Sequence, residues 1–170
     1  FVVIAGTGSS IAYYNGKLLE QKTPSLGFAL GDEGSGAYMG KLLIKKWLYN
    51  QLSACLNERI KKFCNLSVSQ VLSKIYSEKS PSQFLASFVP FIKENIEHEE
   101  LQLIVRGAFS EMIRNHLLRY DNFPTEPVGI VGSVGFVFKN YFEEEVAKFG
   151  GVVSKSLQYP INELTAFHAI

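Results

Sequence analysis

An excess of charge of either sign is the first thing this 170-residue chain lacks: 17 Lys and Arg stand against 16 Asp and Glu, a formal net charge of +1. Holding nucleic acid or an anionic membrane through phosphates needs a basic excess, so neither partner is expected. Cysteine is scarce as well. Cys55 and Cys64 are the whole complement, with no CxxC pair and no histidine nearby. That argues against a metal or iron–sulfur site and for two free thiols in a reducing compartment. Long apolar runs are missing too: Phe1 to Ala5 falls far short of the ~20 residues of a spanning helix. No secretory leader is expected, because neither a basic head nor a longer apolar stretch opens the sequence, and a cytoplasmic setting follows. With 46% hydrophobic and 19% charged residues, a disordered tail, a coiled coil and a collagen-like repeat are excluded. The length suits one globular domain. Phe1 is not a methionine and lies inside an apolar run, so a longer gene product is expected.

Glycine is absent from a whole stretch. Eight of the 14 glycines lie between Gly6 and Gly40, and none between Lys41 and Arg106. This separates a turn-rich β segment from a helical middle. Phe1 to Ala5 reads as a strand buried on both faces. Ile11–Tyr14 and Lys17–Gln21 flank Asn15-Gly16, the signal of a two-residue hairpin turn with positive φ at both positions. Three antiparallel strands are thus expected first. A helix follows from Tyr38 to Tyr49, with Gly36 and Gly40 one turn apart, a spacing that calls for close approach to another backbone or a ligand. Ser67 to Tyr76 predicts a helix capped by Ser67 or Ser69, and Ser80-Pro81 opens another, kinked at Pro90. Residues 97 to 120 form the clearest helix, with Leu101, Ile104, Val105, Ala108, Met112, Ile113 and His116 on one apolar stripe. After a loop from Asp121 to Pro127 come a buried strand at Val128–Val131, a helix opened by Gly132–Gly135, a weak strand at Val152–Ser156, and a terminal helix from Pro160 to Ile170. The order suggests an α/β, ribonuclease H-like layer with an inserted helical bundle over about residues 41–120.

Three segments can carry chemistry. Gly6-Thr7-Gly8-Ser9-Ser10 joins two strands, and its glycines can present successive N–H groups to one anion; an ordinary hairpin loop is the alternative. Gly31-Asp32-Glu33-Gly34-Ser35 stands at the mouth of a helix whose N-terminal N–H groups favour an anion. There Asp32 can accept from substrate hydroxyls, hold a metal-bound water, or simply cap the helix. Gly132-Ser133-Val134-Gly135 follows a strand and opens a helix, a common approach geometry for a nucleotide, without the spacing of a dinucleotide fingerprint or a P-loop lysine.

In that order, VIAGTGSS, LGFALGDEGSGAYMGKLL and GIVGSVGFVFKNYFEE closely resemble the C-terminal half of the BadF/BadG-type ATPases. That family includes the N-acetylglucosamine kinases and belongs to the sugar kinase, Hsp70 and actin superfamily. The resemblance covers nearly the whole chain. It implies an actin-like ATPase fold in which residues 1–170 are the C-terminal lobe, with ATP, Mg²⁺ and a sugar held in a cleft against an N-terminal lobe that this chain lacks. By the same resemblance Gly6, Thr7 and Gly8 face the ATP phosphates, Ser9, Ser10, Gly27 and Asp32 face the sugar, and Gly132 and Ser133 border the adenosine. Ala86 and Ser87 match a segment near the nucleoside. No metal ligand is assigned, and the expected assembly is a homodimer.

The chain also departs from the family pattern. Ser25-Leu26-Gly27 stands where the amino-sugar kinases often have Gly-Trp-Gly, and Asn162-Glu163-Leu164 where a glycine usually precedes the leucine. The Asp-Gly-Gly-Gly-Thr type phosphate turn and the aspartate that takes the sugar proton are absent, so no catalytic base is assigned here. The expected activity is ATP-dependent phosphorylation of an amino sugar, most simply N-acetylglucosamine, with the 170 residues alone inactive. An ATPase that activates a dehydratase or reductase, or a non-catalytic nucleotide- or sugar-sensing module, are the alternatives. His98, His116 and His168, the Glu99-Glu100 pair and the Glu143-Glu144-Glu145 run read as structural or solvated.

Overall fold

The computed structural model describes residues 1–168. A five-stranded sheet is built from β1 (Val2–Ala5), β2 (Ser9–Tyr14), β3 (Leu19–Glu20), β4 (Val128–Val131) and β5 (Val153–Leu157), in the order β3-β2-β1-β4-β5. β1, β2 and β3 are successively antiparallel, whereas β4 and β5 add in parallel on the other side of β1. The long excursion between β3 and β4 holds seven α-helices: α1 (Gly27–Leu30), α2 (Gly36–Leu48), α3 (Ala54–Cys64), α4 (Val68–Tyr76), α5 (Pro81–Ala86), α6 (Val89–Glu94) and α7 (Glu99–Asn115). After β4 come α8 (Ser133–Val137) and α9 (Lys139–Lys148), and after β5 comes α10 (Ile161–His168).

Packing follows the sequence pattern closely in α7. Leu101, Ile104, Val105, Ala108, Met112 and Ile113 are all buried, joined by Phe109, whose ring meets Phe142 of α9 edge-on at 5.2 Å. α7 also packs on α2. The helix ends at Asn115, and His116 becomes its C-terminal cap rather than part of the stripe. In α4, Ser67 accepts from the Gln70 amide while the Gln70 side chain accepts from the Ser67 amide, a complete capping box. Pro90 lies in the first turn of α6, so the chain breaks into α5 and α6 instead of kinking within one helix. The expected helix after Gly132 likewise divides at Phe138 into α8 and α9.

Three expectations need correction. β1 is buried on one face only: Val3 and Ala5 are fully buried, while Val2 and Ile4 are 41% and 50% exposed. Among the described residues, the helices cover one side of this strand. The hairpin loop spans Asn15 to Leu18, since Tyr14 pairs with Leu19. Gly16 alone takes positive φ there, because the Asn15 carboxamide accepts from the Lys17 and Leu18 amides and so satisfies a wider loop. The acidic run of α9 is not wholly solvated. Glu145 is 3% exposed and accepts from Arg106 and Lys148, and Arg106 also pairs with Glu144 at 2.5 Å. Cys55 and Cys64 are free thiols on α3, separated by about 13 Å of helix axis, too far for a bridge. Ile170, the expected end of the last helix, lies outside the described residues, as do the side chains of Asn162 and His168.

Candidate functional site

β1 runs out at Ala5, and the next three residues fold over the N-terminus of α2. The Gly36 amide donates to the Gly6 carbonyl at 2.8 Å and the Ala37 amide to the Thr7 carbonyl at 3.0 Å. Ser35 caps the same helix, accepting from the Tyr38 amide at 3.1 Å. The first N–H groups of α2 are therefore spent on the chain itself, which overturns the expectation that this helix mouth receives an anion. Among the described residues, the Thr7 and Gly8 amides donate to no group of the chain, and two successive unpaired N–H groups on a tight turn are what an anion needs.

Asp32 lies across this turn. Its backbone is left-handed, φ 59°, a conformation aspartate tolerates better than most side chains. Its carboxylate accepts from the Ser9 amide at 3.4 Å, and a Cβ on Gly8 would stand 3.1 Å from Oδ2. Ser35, not Asp32, is the helix cap, so capping no longer explains this aspartate. Ser9 Oγ donates to the Glu33 carbonyl at 2.8 Å. Ser10, next along β2, points to the opposite face of the sheet beside Ile4, so the two serines do not offer hydroxyls to one side.

The third turn closes on the same spot. Gly132 has φ 117°, and a Cβ there would lie 2.5 Å from the Ala5 carbonyl oxygen and 3.4 Å from the Gly6 nitrogen. Ser133 opens α8 and is exposed. Gly36 joins the remaining segment, for its missing side chain would meet Ala86, Val89 and Val134 at 3.0–3.2 Å. Gly6, Thr7, Gly8, Ser9, Asp32, Gly132 and Ala86 thus gather at the end of β1. Ser87 flanks Ala86, but its hydroxyl is turned back onto the Phe84 carbonyl at 2.7 Å.

Gly27 stands apart, opening α1 at φ 69° with open space where a Cβ would go. α1 is held from both ends: the Gly31 amide donates to the Gly27 carbonyl at 2.8 Å, and Lys41 Nζ donates to the Phe28 carbonyl at 3.0 Å. Burial lowers the Lys41 pKa, partly opposed by Glu33, Asp32 and Glu111. Between the α1 segment and the end of α7 is a cavity of about 430 Å³ lined by Thr23, Ser25, Leu26, Gly31, Glu33 and His116 among others. A second cavity, about 440 Å³ and more apolar, lies between α1, α2, α4 and α5. Neither includes the Gly6–Gly8 or the Gly132–Ser133 turn.

Residues given no functional role from the sequence build the wall of the first cavity. Glu33 is 9% exposed, and its carboxylate accepts from Asn115 Nδ2 at 2.8 Å and faces His116 Nε2 at 3.3 Å. Burial pushes this carboxyl up, but its own backbone amide, Asn115 and His116 outweigh that and hold it below its ordinary value. His116 Nδ1 is hydrogen-bonded to Thr23 Oγ1. Tyr38 donates to Glu111, and burial first, then Glu111 and Glu33, push its phenol well above the ordinary range. No local pattern marks these groups, because their partners lie many residues away. Among the described residues, no set of three His, Cys, Asp or Glu side chains is arranged to hold a metal ion, and no helix is long and apolar enough to cross a membrane.

No protein-family model matches the chain, and no curated protein matches it in sequence. Solved structures do. A Porphyromonas gingivalis protein named for an inferred N-acetylglucosamine kinase activity superposes with a TM-score of 0.94 over 98% of this chain at 30% identity. A Chromobacterium violaceum protein named in the same way superposes with a TM-score of 0.61 over 91% of the chain at 20% identity, a likeness of fold. The chain spans 59% of the first protein and 54% of the second. Its mixed α/β fold is therefore that of proteins named for an inferred N-acetylglucosamine kinase activity, over little more than half their length.

Proposed function

We propose that this chain is the C-terminal lobe of a two-lobed, ATP-dependent amino-sugar kinase of the BadF/BadG type, with N-acetylglucosamine as the first substrate to test. The observation that carries this is the convergence of two glycine turns, Gly6–Gly8 and Gly132–Ser133, at the end of β1, with the Asp32 carboxylate beside the first. The sheet order, three antiparallel strands followed by two parallel additions, favours a ribonuclease H-like, actin-like layer with α1–α7 as its helical insertion. The likeness to the P. gingivalis protein supports the substrate class.

ATP fits the residues present. The unpaired Thr7 and Gly8 amides take its phosphates, and Gly132 leaves the space that a side chain would close. Ser133, Ala86 and Ser87 border the adenosine. When bound with ATP, Mg²⁺ neutralises phosphate charge and aligns the phosphates for transfer. On the sugar side Asp32, anchored by the Ser9 amide, accepts from a sugar hydroxyl and fixes the orientation of the ring, with Ser9 beside it and Gly27 approaching from the separate α1 segment, while Ser10, on the opposite face of the sheet, takes no part. The group that removes the hydroxyl proton belongs to the other lobe, and closure of the cleft excludes water from the reacting phosphate. A homodimer and a cytoplasmic setting accompany this proposal.

Measuring ATP consumption by the intact protein with and without N-acetylglucosamine tests it. Strong stimulation by the sugar is expected, and turnover indifferent to sugar overturns the kinase in favour of an activating ATPase. Asp32→Ala should remove most of the stimulated rate while the chain stays folded, its thermal unfolding lowered only by the modest cost of alanine at positive φ. Unchanged kinetics would leave Asp32 a purely structural residue.

A further inference from the structure

Residues 20–31, mostly exposed, and the largely buried turn 32–35 are consecutive stretches of chain that meet at the end of α7, and that end makes a separate contact with each. Tyr120 donates to the Glu20 carbonyl at 3.1 Å and accepts from the Lys22 amide at 3.1 Å. Thr23 is hydrogen-bonded to His116 Nδ1, and the other ring nitrogen of His116 faces Glu33 Oε2 at 3.3 Å. Asn115 holds the second oxygen of Glu33. Glu33 in turn follows Asp32 directly, and its carbonyl receives the Ser9 hydroxyl. The imidazole is 19% exposed and the Glu33 side chain 12%, so solvent competes little for these bonds.

The two imidazole nitrogens are chemically linked. A neutral ring that accepts at Nδ1 carries its proton at Nε2, and that proton is the one Glu33 Oε2 receives. A Thr23 hydroxyl donating to Nδ1 therefore selects the tautomer that donates to Glu33. Loss of the Thr23 bond frees the ring to change tautomer or turn, and Glu33 then loses a donor.

We infer that His116 is a positioning residue that couples the segment carrying Gly27 to the turn carrying Asp32, so that the two order together through Thr23, His116 and Glu33. The inference rests on the kinase proposal only in giving the two segments a shared ligand, an amino sugar. It makes binding at one segment stabilise the other, and by linkage the effect is reciprocal.

Amide exchange on the full chain tests this directly, with two amides as reporters. The Gly31 amide, bonded to Gly27, reports the α1 segment, and the Ser35 amide, bonded to the Asp32 carbonyl at 3.0 Å, reports the Asp32 turn. Thr23→Val removes the hydroxyl at nearly constant shape. It should speed exchange at Ser35 as well as at Gly31 by roughly fivefold, the effect of one ordinary hydrogen bond. Glu33→Gln should do the same at Gly31 from the opposite end. Thr23→Ser should restore wild-type exchange at both amides, and the ring nitrogen shifts of His116 should change in Thr23→Val and return in Thr23→Ser. The effects of Thr23→Val and Glu33→Gln should not add when combined.

Acceleration at Gly31 alone in Thr23→Val, or simple additivity in the double variant, overturns the coupling. Should Glu33→Gln unfold the chain, the Thr23→Val and Thr23→Ser pair still decides the outcome. Adding N-acetylglucosamine to the wild-type protein separates the two claims. Coupled exchange without protection by the sugar upholds the positioning role and removes the sugar from this site. Protection of both amides in Thr23→Val equal to that in the wild type upholds the sugar and overturns the coupling.

Discussion

Two neighbouring parts of this molecule are held together in different ways. At the end of β1, backbone packs on backbone: Gly6 and Thr7 receive amides of α2, Gly132 lies against Ala5, and Gly40 meets Leu85 so closely that a Cβ would stand 1.9 Å from its carbonyl oxygen. At the end of α7, side chains reach across gaps: Asn115 and His116 to Glu33, His116 to Thr23, Tyr120 to Glu20. The first kind of contact tolerates no added atom. The second tolerates changes of size but not of hydrogen-bonding type. A substitution therefore fails for steric reasons in one region and for electrostatic reasons in the other.

The largest effect should come from Gly40→Ala. Alanine is ordinarily the better helix former by about 1 kcal/mol, yet here its methyl would have to push α5 away from α2. We expect a net loss of roughly 3 kcal/mol, measured by urea unfolding. A stabilised protein would mean that α2 and α5 are not in backbone contact. Gly132→Ala should follow at about 2–3 kcal/mol, since both φ and the Ala5 carbonyl oppose it. It should also weaken nucleotide binding more than sugar binding. The opposite order would move the adenosine away from this turn. Gly27→Ala provides the control, because nothing lies within 4 Å of its missing Cβ. There the positive φ alone should cost about 1 kcal/mol.

These two regions were also unequally legible in the sequence. The glycine turns announce themselves, because Gly6-Thr7-Gly8 and Gly132-Ser133 each stand between an apolar run and the next element. The spacing of Gly36 and Gly40 correctly pointed to a close neighbour. The stripe of α7 and the Ser67 cap are local patterns, and local patterns survive into the structure. His116 sits near one helix end in sequence and looked like the last member of the stripe. Its two partners are 93 and 83 positions away, and nothing local in the chain encodes such distances. Asp32 shows the middle case. Its place before a helix suggested a cap, but which of Asp32 and Ser35 takes that duty depends on a left-handed turn that only the fold reveals. β1 misled for a related reason: an unbroken apolar run does not say how many of its faces the described helices cover.

On the side-chain part, Glu33→Ala should cost about 1–3 kcal/mol by stranding the donors of Asn115 and His116. Glu33→Gln, which keeps the shape and one acceptor, should cost less. A Glu33→Ala as harmless as an ordinary surface substitution would make this region no different from the rest of the exterior.

The smallest effect is a pH dependence, and its sign follows from the direction of the Glu33 shift. Its carboxyl is held below the ordinary value of 4.5 despite burial, so the folded state prefers the ionised form more than the unfolded chain does. Glu33 therefore contributes stability that is fully present above about pH 4.5 and is lost as pH falls through the lower, folded value. Other carboxylates titrate in the same range, and the comparison that isolates this one is between the wild type and Glu33→Gln. Urea unfolding followed from about pH 7 down to about pH 3 should show the wild-type advantage shrinking below pH 4.5, with the two curves approaching each other at the acid end. Curves parallel throughout would mean that Asn115 and His116 hold the neutral acid as well as the carboxylate. The contact at the end of α7 would then be one of shape, like the glycine contacts beside it, and the distinction between the two regions would fall.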